Sequence, residues 1–141
     1  MTNDAIEQAL KTAFTTATDA LVVAYRPAYR CFWLDDETAK DDEYEEYPYI
    51  SITANPDVPG GYKTKYVTAA VVVRIATIHA DDPKRTALKA IHNAIRTVLN
   101  ADAYAVTGYG KKSTIIVDAQ SGLDGDEQYV EYELSVSLCT S

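Results

Sequence analysis

Side chains that could do chemistry are few in this chain. They are His79 and His92, Cys31 and Cys139, and the run Asp35 to Glu46 (DDETAKDDEYEE), which holds eight carboxylates and one lysine. Nucleophilic catalysis needs a serine or cysteine with a base beside it, and no cysteine lies near either histidine in the sequence. The cysteines are not spaced like a metal site or a redox pair. Both fall in strand-like stretches, where an unreactive buried thiol is the common state, so free thiols are expected. Hard cations take clustered carboxylates, but the acidic run lacks the glycine and the final ligand of a calcium loop. It therefore reads as a solvated loop, and no metal is expected. Gly60-Gly61 is followed by neither a helix nor a Lys-Ser/Thr pair, which rules out a phosphate cradle. GxSxG, HExxH and CxxC are all missing. The residues thus point away from an enzyme, with no catalytic, cofactor-binding or metal-ligating set.

The elements that would position any site are clearest between Tyr66 and Leu99. In YVTAAVVVRIATI, Val67, Ala69, Val71, Val73 and Ile75 share one face, while Tyr66, Thr68, Ala70, Val72, Arg74, Ala76 and Ile78 share the other. After the breaker run His79 to Pro83, Leu88, Ile91, Ile95, Val98 and Leu99 form one stripe of a helix, with Lys89, His92, Asn93 and Arg96 facing away. Asp82 is placed to cap that helix, with Pro83 in its first turn. The helix accounts for one face of the strand, and the half-apolar second face needs another cover.

Apolar residues recur at three- and four-residue intervals from residue 4 to about 24, predicting a first amphipathic helix, with Glu7 as capping-box partner of Asp4. Its threonines weaken intrinsic propensity, so it must depend on packing. Strands are predicted at Ala28 to Leu34, Tyr47 to Ala54, Ser113 to Ala119 and Tyr129 to Leu138. Residues 55–61 and Gln120 to Gln128 are read as loops. The stretch from Asn100 to Lys112 is a connection with room for a short strand at Tyr104 to Thr107. Together these predict an α+β two-layer sandwich, a mainly antiparallel sheet with two helices on one face, in a single domain over residues 1–141.

Composition narrows the function classes. A net charge of -8 argues against a nucleic-acid footprint, which needs a basic face. No run approaches the ~18 apolar residues of a membrane span, and MTNDAIEQAL is not a signal peptide, so a cytoplasmic protein or one assembled there is expected. Eleven tyrosines against two phenylalanines suit half-buried surfaces such as subunit interfaces, or simply strands.

The first helix, YPYISITANPD at Tyr47 to Asp57, KYVTAAVVVRIAT at Lys65 to Thr77, DDPKRTALKAIHNAIRTVL at Asp81 to Leu99 and the alternating YVEYELSVSL at Tyr129 to Leu138 resemble, as a set, the tail terminator and tail-completion proteins of long-tailed bacteriophages. The resemblance implies a structural virion protein of the tail or neck, assembled in the host cytoplasm. It implies a homo-oligomeric ring of six copies that caps the tail tube protein and docks to the head connector. Residue chemistry alone fits equally a non-enzymatic adaptor or assembly-chaperone-like protein acting as a monomer or dimer.

For subunit contacts, the expected residues are Tyr66, Val72, Arg74 and Ile78 on the second face of the long strand, with Asp41, Asp42, Glu43 and Tyr44 in the acidic loop. Arg74 is either a polar anchor for a neighbour or a side chain facing water. In a ring around DNA, the acidic loop facing the channel would repel the duplex and ease its passage.

Overall fold

The alternating and periodic stretches resolve into two helices and five strands in a computed structural model, which describes residues 2–34, 47–56 and 66–140. In chain order these are α1 (Thr2–Thr18), a 3-10 turn at Val23–Tyr25, β1 (Ala28–Cys31), β2 (Tyr49–Pro56), β3 (Tyr66–Ile78), α2 (Thr86–Ala101), β4 (Tyr109–Asp124) and β5 (Glu127–Thr140). The strands form one sheet in the order β1-β2-β3-β5-β4. Each neighbouring pair is antiparallel except β1 and β2. The architecture is the predicted α+β sandwich, a mostly antiparallel sheet with both helices on one face.

The layer interface follows from the sequence pattern. Ile50 and Ile52 of β2, Val71, Val73 and Ile75 of β3 and Leu134 and Val136 of β5 meet Ile6, Leu10 and Phe14 of α1 and Leu88, Ile91 and Ile95 of α2 in one buried cluster. Each fully buried side chain of this size contributes about 1.5–3 kcal/mol, so this face holds the two layers together. The threonines of α1 turn their hydroxyls onto the preceding turn, Thr15 to the Lys11 carbonyl at 2.6 Å and Thr18 to that of Phe14 at 2.8 Å.

Several boundaries differ from the sequence expectation. Helix α1 stops at Thr18, well before residue 24. Glu7 is fully buried, and its role is not that of a capping partner. Its Oε1 accepts the N–H of Trp33 at 2.7 Å and of Leu34 at 2.9 Å, and its Oε2 accepts that of Ala54 at 3.0 Å. Strand β1 ends at Cys31: the Phe32 N–H still bonds the Ile52 carbonyl at 3.0 Å, and the next two N–H groups turn to Glu7. Asp82 does cap α2, but from further out: Pro83 lies outside the helix, Arg85 takes the N-cap position at φ 58°, and the Asp82 carboxylate reaches the N–H groups of Ala87 and Leu88, both at 3.1 Å.

The largest difference is β4. Strand was expected over residues 113–119 and loop over 120–128, yet β4 runs unbroken through Leu123 to a two-residue turn at Gly125 and Asp126. Gly125 has φ 62°, at the first turn position where tight hairpins take glycine. No strand forms over residues 104–107. Tyr104 is buried there and hydrogen-bonds Thr114, which in turn donates to Asp102 at 2.8 Å, tying the end of α2 to β4. Among the described residues, no helix is long and apolar enough to cross a membrane.

Candidate functional site

The face of the sheet turned away from the helices carries most of the polar structure. Residue parity in the ladder puts Arg30, Tyr49, Ser51 and Thr53, then Val72, Arg74, Ala76 and Ile78, then Glu127, Tyr129, Glu131 and Glu133 on this open face. Among the described residues no helix covers it.

At the end of the face near the β4–β5 turn, the side chains lock together around Arg74. Its Nη2 lies 2.5 Å from Glu127 Oε2, its Nη1 3.1 Å from Glu131 Oε2, and Asp124 is 3.7 Å away. The guanidinium sits over the Tyr129 ring at 3.9 Å. The second oxygen of Glu127 accepts the hydroxyls of Tyr49 at 2.7 Å and Tyr47 at 3.1 Å. Arg30 stacks on the other side of the group, 4.0 Å from the Tyr49 ring centre. Gly122 stands opposite Tyr129 in the ladder, and a Cβ there would meet the Tyr129 hydroxyl at 3.2 Å. A glycine in this strand therefore makes room for the ring.

Charge states follow from these contacts. Burial works against ionisation of Glu127, but the hydrogen bonds from Tyr49, Arg74 and Tyr47 outweigh it and hold the carboxyl below its ordinary value. Burial, reinforced by the Glu127 carboxylate, pushes Tyr49 up to about 12. Burial also disfavours the Arg74 charge, and Glu127 and Glu131 more than compensate. The group is thus Glu127 and Glu131 clamped on one guanidinium, with a protonated Tyr49 hydroxyl donating to Glu127. Its donors and acceptors face one another, an arrangement suited to fixing β2, β3 and β5 and not to proton transfer.

Further along the same face the register draws a row Thr53, Val72, Glu133, Asp118. Val72 is half-buried. Beyond it, edge strand β4 is poorly covered: Ile115, which shares the open face, and Val117 are each 60% exposed, and Leu123, on the helix side, is 62% exposed because α2 packs on β3 and β5 and leaves β4 outside. A register shift between Ile116 and Asp118 bends the strand at this point. On the helix side, α2 and β4 border a cleft of about 490 Å³ lined by Arg85, Lys89, His92, Ser121 and Leu123. The His92 ring stacks on Tyr132 and hydrogen-bonds its hydroxyl. Burial, and then Arg96, push His92 below its ordinary value.

Of the residues singled out from the sequence, Val72, Arg74 and Ile78 stand on the open face. Arg74 stands there within an intrachain ion-pair group. Tyr66 begins β3, where its backbone pairs with Cys139. Asp41, Asp42, Glu43 and Tyr44 lie outside the described residues. Cys31 is buried and Cys139 half-buried, and neither is in a disulfide. Among the described residues, no group of three or more His, Cys, Asp or Glu is placed to hold a metal ion.

Sequence reading missed Glu127, Tyr49 and Tyr129 as partners of Arg74, and Ile115, Val117 and Leu123 as exposed apolar groups. Alternation had already put Tyr129, Glu131 and Glu133 on a wet face. What was lacking was the β3–β5 register, which sets Arg74 directly opposite Glu131.

No protein-family model matches the chain, and no curated protein matches it in sequence. Solved structures do share its fold. A chain from the virion of the native gene transfer agent particle is 14% identical with a TM-score of 0.63, over 94% of this chain and 96% of that one. A second solved structure is 11% identical with a TM-score of 0.53, over 98% and 96%. The gp17 protein of bacteriophage SPP1 is more distant, 17% identical with a TM-score of 0.41 over 96% and 91%.

Proposed function

We propose that this chain is a structural virion subunit, acting as one domain, that closes into a ring of six copies at the end of a phage-type tail tube and presents a docking surface to the head connector. What carries this reading is the shared fold: nearly the whole chain superposes on nearly the whole of a chain from a virion particle. The open face of the sheet adds support. It holds half-buried Val72 and an uncovered β4, and unpartnered apolar surface on a stable sheet suits a subunit whose remaining surface is completed by neighbours.

On this reading the subunit works by shape. A ring closes when one patch of each copy meets a different patch of the next through a rotation that returns to its start. The closed ring then caps the last tube layer and halts its growth. The Arg74 group keeps the sheet rigid beneath the contact surface and does no chemistry itself.

Electron microscopy of the purified protein mixed with isolated tail tubes tests this. Rings seated at tube ends are expected, and tubes should stop lengthening once capped. Tubes with bare ends that continue to grow in the presence of saturating protein would refute the role and favour a monomeric or dimeric adaptor.

A further inference from the structure

Two sets of charges have no ion-pair partner among the described residues, where the ion pairs are all made by Arg74. The first set lies on α2. Arg85 at the N-cap and Lys89 and Arg96 within the helix are exposed and spaced four and seven residues apart, along one flank of α2 beside its buried stripe, with Arg85 and Lys89 bordering the cleft against β4. From Arg85 to Arg96 the strip spans about 16 Å at 1.5 Å per residue.

A second set lies on the opposite side of the molecule, on the open face of the sheet. Glu133 and Asp118 are direct cross-strand partners of β5 and β4. The Asp118 oxygens accept the N–H of Ala119 at 2.9 Å and the side-chain amide of Gln120 at 3.0 Å, and meet no cation among the described residues. Like charges directly opposite one another destabilise a strand pair. This repulsion stands beside Val72 in the same row and Ile115 in the next, where Ile115 pairs with Ser135 and Ser135 with Ala70. Further along β5, Glu131 and Glu127 are already paired with Arg74. The two sets are therefore opposite in sign and on opposite faces.

We propose that the open face of the sheet is covered by α2 of a second copy of this chain, with Lys89 and Arg96 of one copy meeting Glu133 and Asp118 of the next. The contact rests on the ring reading above and supplies its interface. Because the two patches differ, the contact is heterologous and repeats from copy to copy, as a ring requires. Cations from the neighbour relieve the repulsion between Asp118 and Glu133, and Val72 and Ile115 lose their water. The desolvated centre is small and the charges are many, so the contact should weaken steeply with salt.

Charge swapping tests the contact by sedimentation velocity. The pair K89E and R96E, and separately the pair D118K and E133K, should each lower the apparent association constant at least about tenfold at low salt. All four changes together keep the net charge of the parent chain and should restore association. Far-UV circular dichroism of each variant checks that it is folded. Reversed pairs that assemble like the parent, or a loss that the fourfold variant does not restore, would overturn this contact while leaving a ring intact as a reading. A parent chain that stays monomeric at high concentration and low salt, and also in the presence of tail tubes, would overturn the ring and the contact together.

Discussion

Arg74 of β3 and Glu127 of β5 are joined across the ladder by an Nη2 to Oε2 contact of 2.5 Å, and the same carboxylate holds the Tyr49 and Tyr47 hydroxyls of the neighbouring segment through its other oxygen. A single carboxylate thereby fastens three parts of the sheet at the end where the β4–β5 hairpin turns. Both side chains are taken up by contacts within the sheet.

Replacing Arg74 with alanine leaves Glu127 and Glu131 without their cation and should cost about 2 kcal/mol of stability. The folded pKa of Glu127 is depressed, so its stabilisation is present above the ordinary value of 4.5 and is lost as pH falls through the folded value. Thermal unfolding from pH 7 to pH 3 should show this acid loss in the parent chain and much less of it in E127Q. An unchanged acid limb in E127Q would contradict the assignment.

Glu7 should titrate in the opposite sense. Burial raises its carboxyl despite the three N–H groups it accepts, so the folded state holds the proton more tightly than the unfolded chain. Its contribution favours folding below 4.5 and declines as pH rises through the folded value. In E7Q the stability should no longer decline on that limb. Glu7→Ala strands the N–H groups of Trp33, Leu34 and Ala54 and should cost about 3 kcal/mol, or about 10 °C in Tm. A loss under 1 °C would show that water replaces the carboxylate.

Such pairings explain how much of the molecule was legible from sequence. The α2 stripe, the β3 alternation and the β5 alternation each state their period, and the two-layer fold follows from them. Residues 120–128 misled because Gly122, Gly125 and the acidic residues carry turn chemistry, although only Gly125 turns the chain. Gly122 is a strand residue placed beneath the Tyr129 ring, a tertiary reason that local composition does not express. Glu7 was misplaced likewise: its spacing from Asp4 matches a capping box, while its actual partners are 26, 27 and 47 residues away. The open face itself was legible in the unassigned side of β3. The exposed β4 edge and the carboxylates opposite Val72 required the strand register.

Val72→Lys tests the open face without disturbing the core. The lysine would stand opposite Glu133, a favourable cross-strand pair contributing about 0.2–1 kcal/mol, so the isolated subunit should unfold at or slightly above the parent temperature. Assembly should fall, since the change removes apolar surface and places a cation where the neighbour's Lys89 and Arg96 approach. Loss of folding instead would mean that Val72 belongs to the core.

His92 should be neutral at pH 7. Burial and the adjacent Arg96 lower its pKa, with Tyr132 bonded to the ring and Lys89 on the same side of α2. Its contribution to stability is lost as pH falls below 6.5, because the unfolded chain then binds the proton more readily. In an NMR titration the His92 midpoint should lie below 6.5 and rise in R96Q. A parent midpoint at or above 6.5 would contradict the packing of the ring against Tyr132.

Native mass spectrometry tests the ring most directly, with the protein taken from low-salt solution at high concentration, alone and after release from tail tubes. A closed species of six copies is predicted, replaced by free subunits in K89E/R96E and recovered when D118K/E133K is added to the same chain. Monomers or dimers alone, with nothing larger in either preparation, would contradict it.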